Sequence, residues 1–92
     1  MIHLDSIVSR DNKKFIFNEL GTEAVVMNIE SGDYLGLNEV SSEIWKSMDE
    51  PIKAEDIVKH LLQRFNVSEG TCQQQTLAFL NKMKSHGMIT QQ

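Results

Sequence analysis

The sequence predicts an α+β domain of winged helix-turn-helix type, with an N-terminal three-stranded antiparallel sheet followed by three helices. Segments rich in β-branched and aromatic residues precede residue 38, and apolar residues at helical spacing follow it. The 92 residues contain no internal repeat, low-complexity tract or Pro/Gly-rich linker. Residues 1–92 are therefore expected to fold as a single domain around one modest core.

The first predicted strands lie on either side of a charged turn at residues 10–14. Ile7 and Val8 precede this turn, and Phe15 to Phe17 follow it as an aromatic, β-branched run. These two segments are expected to pair with each other.

A hairpin is the clearest local prediction. Ala24 to Ile29 is rich in Val and Ile, and Asp33 to Leu37 is its expected partner. The residues between them end in Gly32, which adopts a positive φ without steric cost. If Ala24 to Ile29 also pairs with the strand before it, then Asp33 to Leu37 is the outer strand of a meander.

Three helices are predicted after the hairpin. Asn38 is the expected N-cap of the first, which ends near Asp49, before the only proline. The second begins around residues 53–55, and the third runs from residue 69 or 71 to 86 with Ser68 as its N-cap. Gly87 is a natural left-handed stop, and residues 88–90 form a last short extended piece. The tight turn between the second and third helices indicates a helix-turn-helix.

No residue set in the sequence has the spacing of a catalytic or metal site. The histidines are scattered, at His3, His60 and His86, and no Gly-rich phosphate loop follows a strand. The single cysteine, Cys72, cannot form an internal disulfide, and its place on an apolar stripe indicates core packing. We therefore expect no enzyme activity, no metal and no cofactor. Without a signal segment or an apolar run that could span a bilayer, the expected location is the cytoplasm, with no membrane partner.

DNA binding by a winged-helix transcriptional regulator is the alternative function. Polar residues on the third helix that are suited to base and phosphate contacts are Gln73, Gln74, Gln75, Asn81, Lys82 and Lys84. The formal charge of −4 has the wrong sign for neutralising phosphates, and Glu69 stands where such a helix would meet them. Nucleic acid is therefore not the expected partner.

The outer strand is a better candidate for function. Neither proline nor lysine blocks Asp33 to Leu37, so unpaired N–H and C=O groups along it are open to another chain. Helical spacing is expected to place four residues along one line of the third helix beside the core stripe: Gln73, Leu77, Leu80 and Lys84. An open edge next to such a face suits an extended peptide. Capping of the edge by the C-terminal tail or by a dimer partner is the other interpretation.

The stretch NIESGDYLGLNEVSSEIW, a following helix pair and the closing TLAFLNKMKSHGMI together resemble a known family. They are similar to the PqqD-like proteins, the recognition elements for precursors of ribosomally made peptide natural products in pyrroloquinoline-quinone and lasso-peptide biosynthesis. The resemblance implies that the leader of a precursor peptide binds as an added strand and is presented to a cognate maturation enzyme, such as a leader peptidase or a radical enzyme. The peptide-binding residues expected here are Asp33, Tyr34, Leu35, Gly36, Leu37, Gln73, Thr76, Leu77, Leu80 and Lys84.

The maturation enzyme would need a surface of its own. The acidic face of the first helix, with Glu39 and Glu43, is the expected contact for that enzyme.

Overall fold

A computed structural model describes residues 1–11 and 13–92, which form three helices and two antiparallel sheets of three strands each. The elements in chain order are β1 (Ile7–Arg10), β2 (Phe15–Leu20), β3 (Glu23–Asn28), β4 (Tyr34–Leu37), α1 (Glu39–Ser47), β5 (Ile52–Lys53), α2 (Ala54–Arg64), α3 (Glu69–Ser85) and β6 (Ile89–Gln91). This arrangement confirms the predicted α+β class with three helices, and it adds two short strands, β5 between α1 and α2 and β6 after α3.

The first sheet has the order β2-β3-β4 and contains the predicted hairpin. The β3 and β4 strands pair in a register that sets Ala24 opposite Leu37 and Met27 opposite Tyr34. Gly32 closes the connection with a φ of 79°, which is the left-handed conformation expected of it. The side chain of Asn28 accepts the backbone N–H groups of residues 30 and 31, at 2.9 and 3.2 Å. Local chemistry therefore fixes this turn.

The second sheet has the order β5-β1-β6, and it corrects the prediction for the first strand. Ile7 and Val8 do not pair with Phe15 to Phe17: Val8 lies opposite Ile52 on one side and Gln91 on the other. Both partners are more than 40 residues away along the chain, so no local pattern indicates them. Residue 12, inside the predicted turn, lies outside the residues that the structure describes.

The helices begin and end where their caps allow. Asn38 Oδ1 accepts the Ser41 N–H at 2.9 Å at the start of α1, and Ser68 Oγ accepts the Thr71 N–H at 3.4 Å at the start of α3. Both N-caps are as predicted. The α2 helix has no side-chain cap, and instead its first N–H groups donate to carbonyls of the N-terminal segment at residues 4 and 6, each at 2.9 Å. Gly87 follows α3 with the predicted positive φ, of 71°.

The core lies between the helices and the inner faces of both sheets. Trp45 is buried in it, and Phe15 packs against the indole edge to face with ring centroids 6.5 Å apart. The Arg10 guanidinium lies 5.8 Å from the indole centroid and donates to Asp49 at 2.8 Å. Cys72 is buried, in agreement with the core role expected of it. In the described part of the chain, no helix has the length and apolarity needed to cross a membrane.

Candidate functional site

The β4 strand is an edge of its sheet. Its inner side pairs with β3, and among the described residues no strand pairs with its outer side. The C-terminal tail does not cap it, because β6 pairs with β1 in the other sheet. The predicted outer strand is thus present, one residue shorter at its start than expected.

The hydrogen-bond pattern determines which residues of β4 present their backbone groups outward. The Asn28 N–H donates to the Asp33 carbonyl at 2.8 Å, and on the opposite side of β3 the Ile29 N–H donates to the Lys14 carbonyl at 2.9 Å. Directly opposed residues of an antiparallel pair alternate between bonded and non-bonded. In the observed register, Leu35 and Leu37 therefore point their N–H and C=O groups toward β3. Tyr34 and Gly36 point theirs outward.

The side chains of β4 alternate between the core and the solvent face of the sheet. Leu37 is buried and Leu35 is half-buried against the core, whereas Tyr34 is exposed to 76% and lies on the solvent face of the sheet. The strand is thus anchored through its leucines. Its free backbone groups belong to the two residues that contribute nothing to the core.

A cleft, which we call the hairpin cleft, joins β4 to the C-terminal end of α3. It has a volume of about 440 Å³. Its lining residues are Phe15, Val26, Asn28, Gly32, Asp33, Tyr34, Leu35, His86 and Met88. The wall opposite β4 is therefore formed by His86, just after α3, and by Met88.

A second cleft, the helix cleft, lies beyond the other end of β4 where α1 begins. Its volume is about 320 Å³. Its lining residues are Asn38, Val40, Ser41, Ile44, Leu61, Phe65, Val67, Cys72, Gln75, Thr76 and Phe79. Gln75, Phe79 and His86 are spaced by 4 and 7 residues and lie on one flank of α3. Gln75 and Phe79 thus line the helix cleft, and His86 lies across the hairpin cleft from Tyr34 and Leu35.

The opposite flank of α3 carries the other predicted contacts and has different neighbours. Asn81 accepts the Ile2 N–H at 2.8 Å and donates to the Leu77 carbonyl at 2.9 Å. Lys84 Nζ lies 2.6 Å from Gln91 Oε1, in β6. Leu77 and Lys84, together with Gln73 on the same line, therefore lie on the side of the N-terminal segment and of the second sheet. The structure does not bring them together with β4.

Two more of the predicted contacts are core residues. Thr76 is 1% exposed and Leu80 is 0% exposed. Leu80 packs among the apolar core side chains, and Thr76 lines only the floor of the helix cleft. The residues predicted from sequence did not include Phe79, which lines the helix cleft, or His86, which lines the hairpin cleft. Helical spacing aligns them with Gln75 as well as it aligns Leu77 with Gln73, so the pattern alone favours neither flank.

The first helix does not present the acidic face that was expected. The Glu43 carboxylate has 12% of its side-chain surface exposed and lies near two cations, Lys46 and Arg64, and the His60 imidazole. Its oxygens are 3.7 Å from Lys46 Nζ, 3.5 Å from His60 Nε2 and 3.4 Å from Arg64 Nη2. Lys46 also pairs with Glu19 at 3.1 Å. Glu43 is thus neutralised within an ion-pair network that ties α1 to α2, and only Glu39 is exposed.

The chemistry available at these clefts is that of binding. Within residues 1–11 and 13–92, no group of three His, Cys, Asp or Glu side chains is arranged to hold a metal ion. The buried Cys72 has Thr76 Oγ1 and the Val58 carbonyl near its sulfur, both at 4.0 Å. What the site offers is two backbone N–H and two C=O groups without a strand partner among the described residues, flanked by partly apolar clefts.

Comparison with known proteins is consistent with this description. Residues 23–89 match the family model described as coenzyme PQQ synthesis protein D (PqqD). Among curated protein sequences, none matches significantly.

Two solved structures share the fold. TbiB1, solved in complex with the TbiA(beta) leader peptide, has a TM-score of 0.77 and 22% identity, over 88% of this chain and 93% of that one. A lasso peptide synthetase B1 complexed with its leader peptide also has a TM-score of 0.77, with 17% identity over 90% of this chain and 96% of that one.

Proposed function

The chain belongs to the PqqD family, and from that premise we propose that it binds the leader region of a ribosomally synthesised precursor peptide. It then presents that peptide to a modifying or leader-cleaving enzyme. The fold it shares with two proteins whose structures contain leader peptides supports this proposal. The observation that carries it is the open edge of β4, where Tyr34 and Gly36 direct unpaired backbone groups outward between two clefts.

Binding proceeds by strand addition. A peptide laid along β4 exchanges main-chain hydrogen bonds with Tyr34 and Gly36, and these bonds are independent of the peptide's sequence. Peptide side chains beside Leu35 point to the same side of the sheet as Leu35 and meet the clefts. Selectivity among leaders on that side arises from Phe15, His86 and Phe79, which line those clefts.

The protein acts as a carrier and has no catalytic turnover of its own. Its clefts combine apolar side chains with backbone groups, and no nucleophile is paired with a base in the residues that line them. Chemistry on the peptide is supplied by the maturation enzyme. Incubation of the pure protein with its bound peptide is expected to leave the peptide mass unchanged.

The test is capture of the peptide from the native host. The tagged protein is used to pull peptides from extract, bound peptides are identified by mass spectrometry, and affinity is measured by fluorescence anisotropy with a labelled synthetic copy. We expect a precursor whose N-terminal leader alone is sufficient for binding.

Salt dependence separates this function from DNA binding. Because backbone bonds and apolar contacts dominate, peptide affinity should change little with ionic strength, whereas duplex binding would fall steeply as counterions are released. Recovery of no peptide, together with tight and salt-sensitive binding to random duplex, would overturn the proposal.

A further inference from the structure

We propose that Gly36 forms a second specificity site, on the solvent face of the sheet, which takes a large apolar and preferably aromatic side chain of the bound peptide. This inference rests on the proposed strand addition at β4. It assigns recognition to the face of the sheet opposite the one that carries Leu35 and Leu37.

The register defines the site. Asn18, Val25 and Gly36 lie side by side across β2, β3 and β4. The next position in this row belongs to the added peptide strand. Laterally adjacent residues of a sheet point to the same face, so the peptide residue beside Gly36 points its side chain to the solvent face. Its neighbours along the peptide point to the clefts.

Gly36 leaves a gap in that row. A Cβ at this position would meet no atom within 4 Å, and the backbone has no positive φ that would require glycine. Conformation and local crowding therefore do not explain a glycine in an edge strand, where it weakens the strand. A glycine there does allow a neighbouring side chain to fold back over the backbone.

The surroundings of the gap are apolar. Tyr34, on the same face two residues away, is 76% exposed, and Ile16 in the same row as Tyr34 is 45% exposed. Val25 and Met27 are only half-buried. Diagonal neighbours across a strand pair are about 7–8 Å apart, within reach of an aromatic side chain. A ring folded over Gly36 therefore contacts Val25, its lateral neighbour in β3, and Tyr34, two residues away in β4. Aromatic side chains compensate for glycines at sheet edges in this way.

The test is a selection from a random peptide library displayed on phage. Separate selections use the wild-type protein, Gly36→Val and Asn18→Val. The last adds the same side chain to the same row at the far edge of the sheet and serves as the matched control. Thermal melts check each fold, and Gly36→Ala replaces Gly36→Val if valine weakens the fold.

Wild type and Asn18→Val should enrich peptides with one fixed aromatic or large aliphatic position between two apolar, cleft-facing positions. Gly36→Val should select small or polar residues at that fixed position. For a peptide enriched on the wild type, replacing its fixed residue by alanine should cost about tenfold in affinity. The same replacement should change affinity for Gly36→Val by less than about twofold.

The Gly36 site and leader binding at β4 are contradicted by different outcomes. Enriched peptides without the fixed position, or an alanine cost that is equal for wild type and Gly36→Val, would overturn the Gly36 site and leave leader binding standing. Failure of the wild type to enrich any peptide would overturn both.

Discussion

Proline substitutions along β4 test strand addition directly, because the hydrogen-bond pattern makes neighbouring positions unequal. Tyr34 and Gly36 direct their N–H groups outward, whereas Leu35 directs its own toward Val26. Proline removes the N–H and fixes φ near a value that an edge strand accepts. Tyr34→Pro and Gly36→Pro should therefore weaken peptide binding and leave the fold intact. Leu35→Pro should damage the fold itself.

The magnitudes follow from the bonds that are lost. One main-chain hydrogen bond contributes a net of about 0.5–1.5 kcal/mol, so each outward proline should reduce peptide affinity by roughly two- to tenfold. The double variant should lose roughly 5- to 100-fold if the effects add. Leu35→Pro leaves the carbonyl of the fully buried Val26 without its donor. That costs about 1–3 kcal/mol of folding free energy, and each kcal/mol lowers Tm by roughly 4–8 °C in a domain of this size.

The assay pairs fluorescence anisotropy, with the leader captured from the native host, with thermal melts followed by circular dichroism. Tyr34→Ala and Gly36→Ala are the reference variants: they also change the side chain at the proposed Gly36 site but keep the N–H, so the affinity of each proline variant is compared with that of the alanine variant at the same position. Wild-type affinity in both outward prolines, with melts unchanged, would show that the peptide does not bind to the β4 edge. A Leu35→Pro variant that melts like the wild type would contradict the assigned hydrogen-bond alternation.

Three further predictions concern α3 and the core. Phe79→Glu places a charge in the helix cleft and should weaken leader binding about tenfold or more in fluorescence anisotropy. Leu77→Glu, on the opposite flank of α3, should bind the leader with wild-type affinity. The reverse result would support the line of residues predicted from sequence. Ser42→Ala removes a buried hydroxyl that has no hydrogen-bond partner in the described structure, and urea denaturation should show a gain of up to about 1 kcal/mol. A clear loss of stability would reveal a partner for that hydroxyl. Arg10→Ala should lower the free energy of unfolding by about 1–2 kcal/mol, because it removes the guanidinium packed over the buried indole. Asp49→Ala should lower the free energy of unfolding by less than about 1 kcal/mol, since that side chain is 71% exposed. Equal losses in Arg10→Ala and Asp49→Ala would show that the ion pair, rather than packing on the indole, accounts for the effect of Arg10.

The parts of the fold that could be predicted are those fixed by nearby residues. The hairpin depends on Asn28 and Gly32, and the ends of α1 and α3 depend on Asn38, Ser68 and Gly87. The pairing of β1 could not be predicted, because its partners come from the chain between α1 and α2 and from the chain after α3. A short strand of mixed polarity matches many possible partners equally well. Only the assembled core selects among them.

The neighbours of each flank of α3 could not be predicted from the sequence either. A helical period identifies the buried stripe of α3 and the two flanks beside it, but it does not say which neighbour each flank meets. That depends on the N-terminal segment, where Ile2 is buried and bonded to Asn81. The segment occupies the Leu77 flank, whereas Phe79 on the other flank lines the helix cleft. An isolated apolar residue near a chain terminus carries no periodicity, so the sequence does not indicate this contact.

An exposed edge strand can pair with edge strands of other chains and so cause aggregation. The short length of β4 limits such pairing but still allows a peptide to bind. The strand has only four residues, and only Tyr34 and Gly36 direct backbone groups outward. Four main-chain hydrogen bonds at about 1 kcal/mol each hardly exceed the entropy lost on association, so pairing through the backbone alone is weak. A partner binds well only if its side chains also fill the clefts on one face and cover Gly36 on the other. The short edge therefore makes affinity depend on side chains, which is what a carrier needs if it is to select one peptide among many.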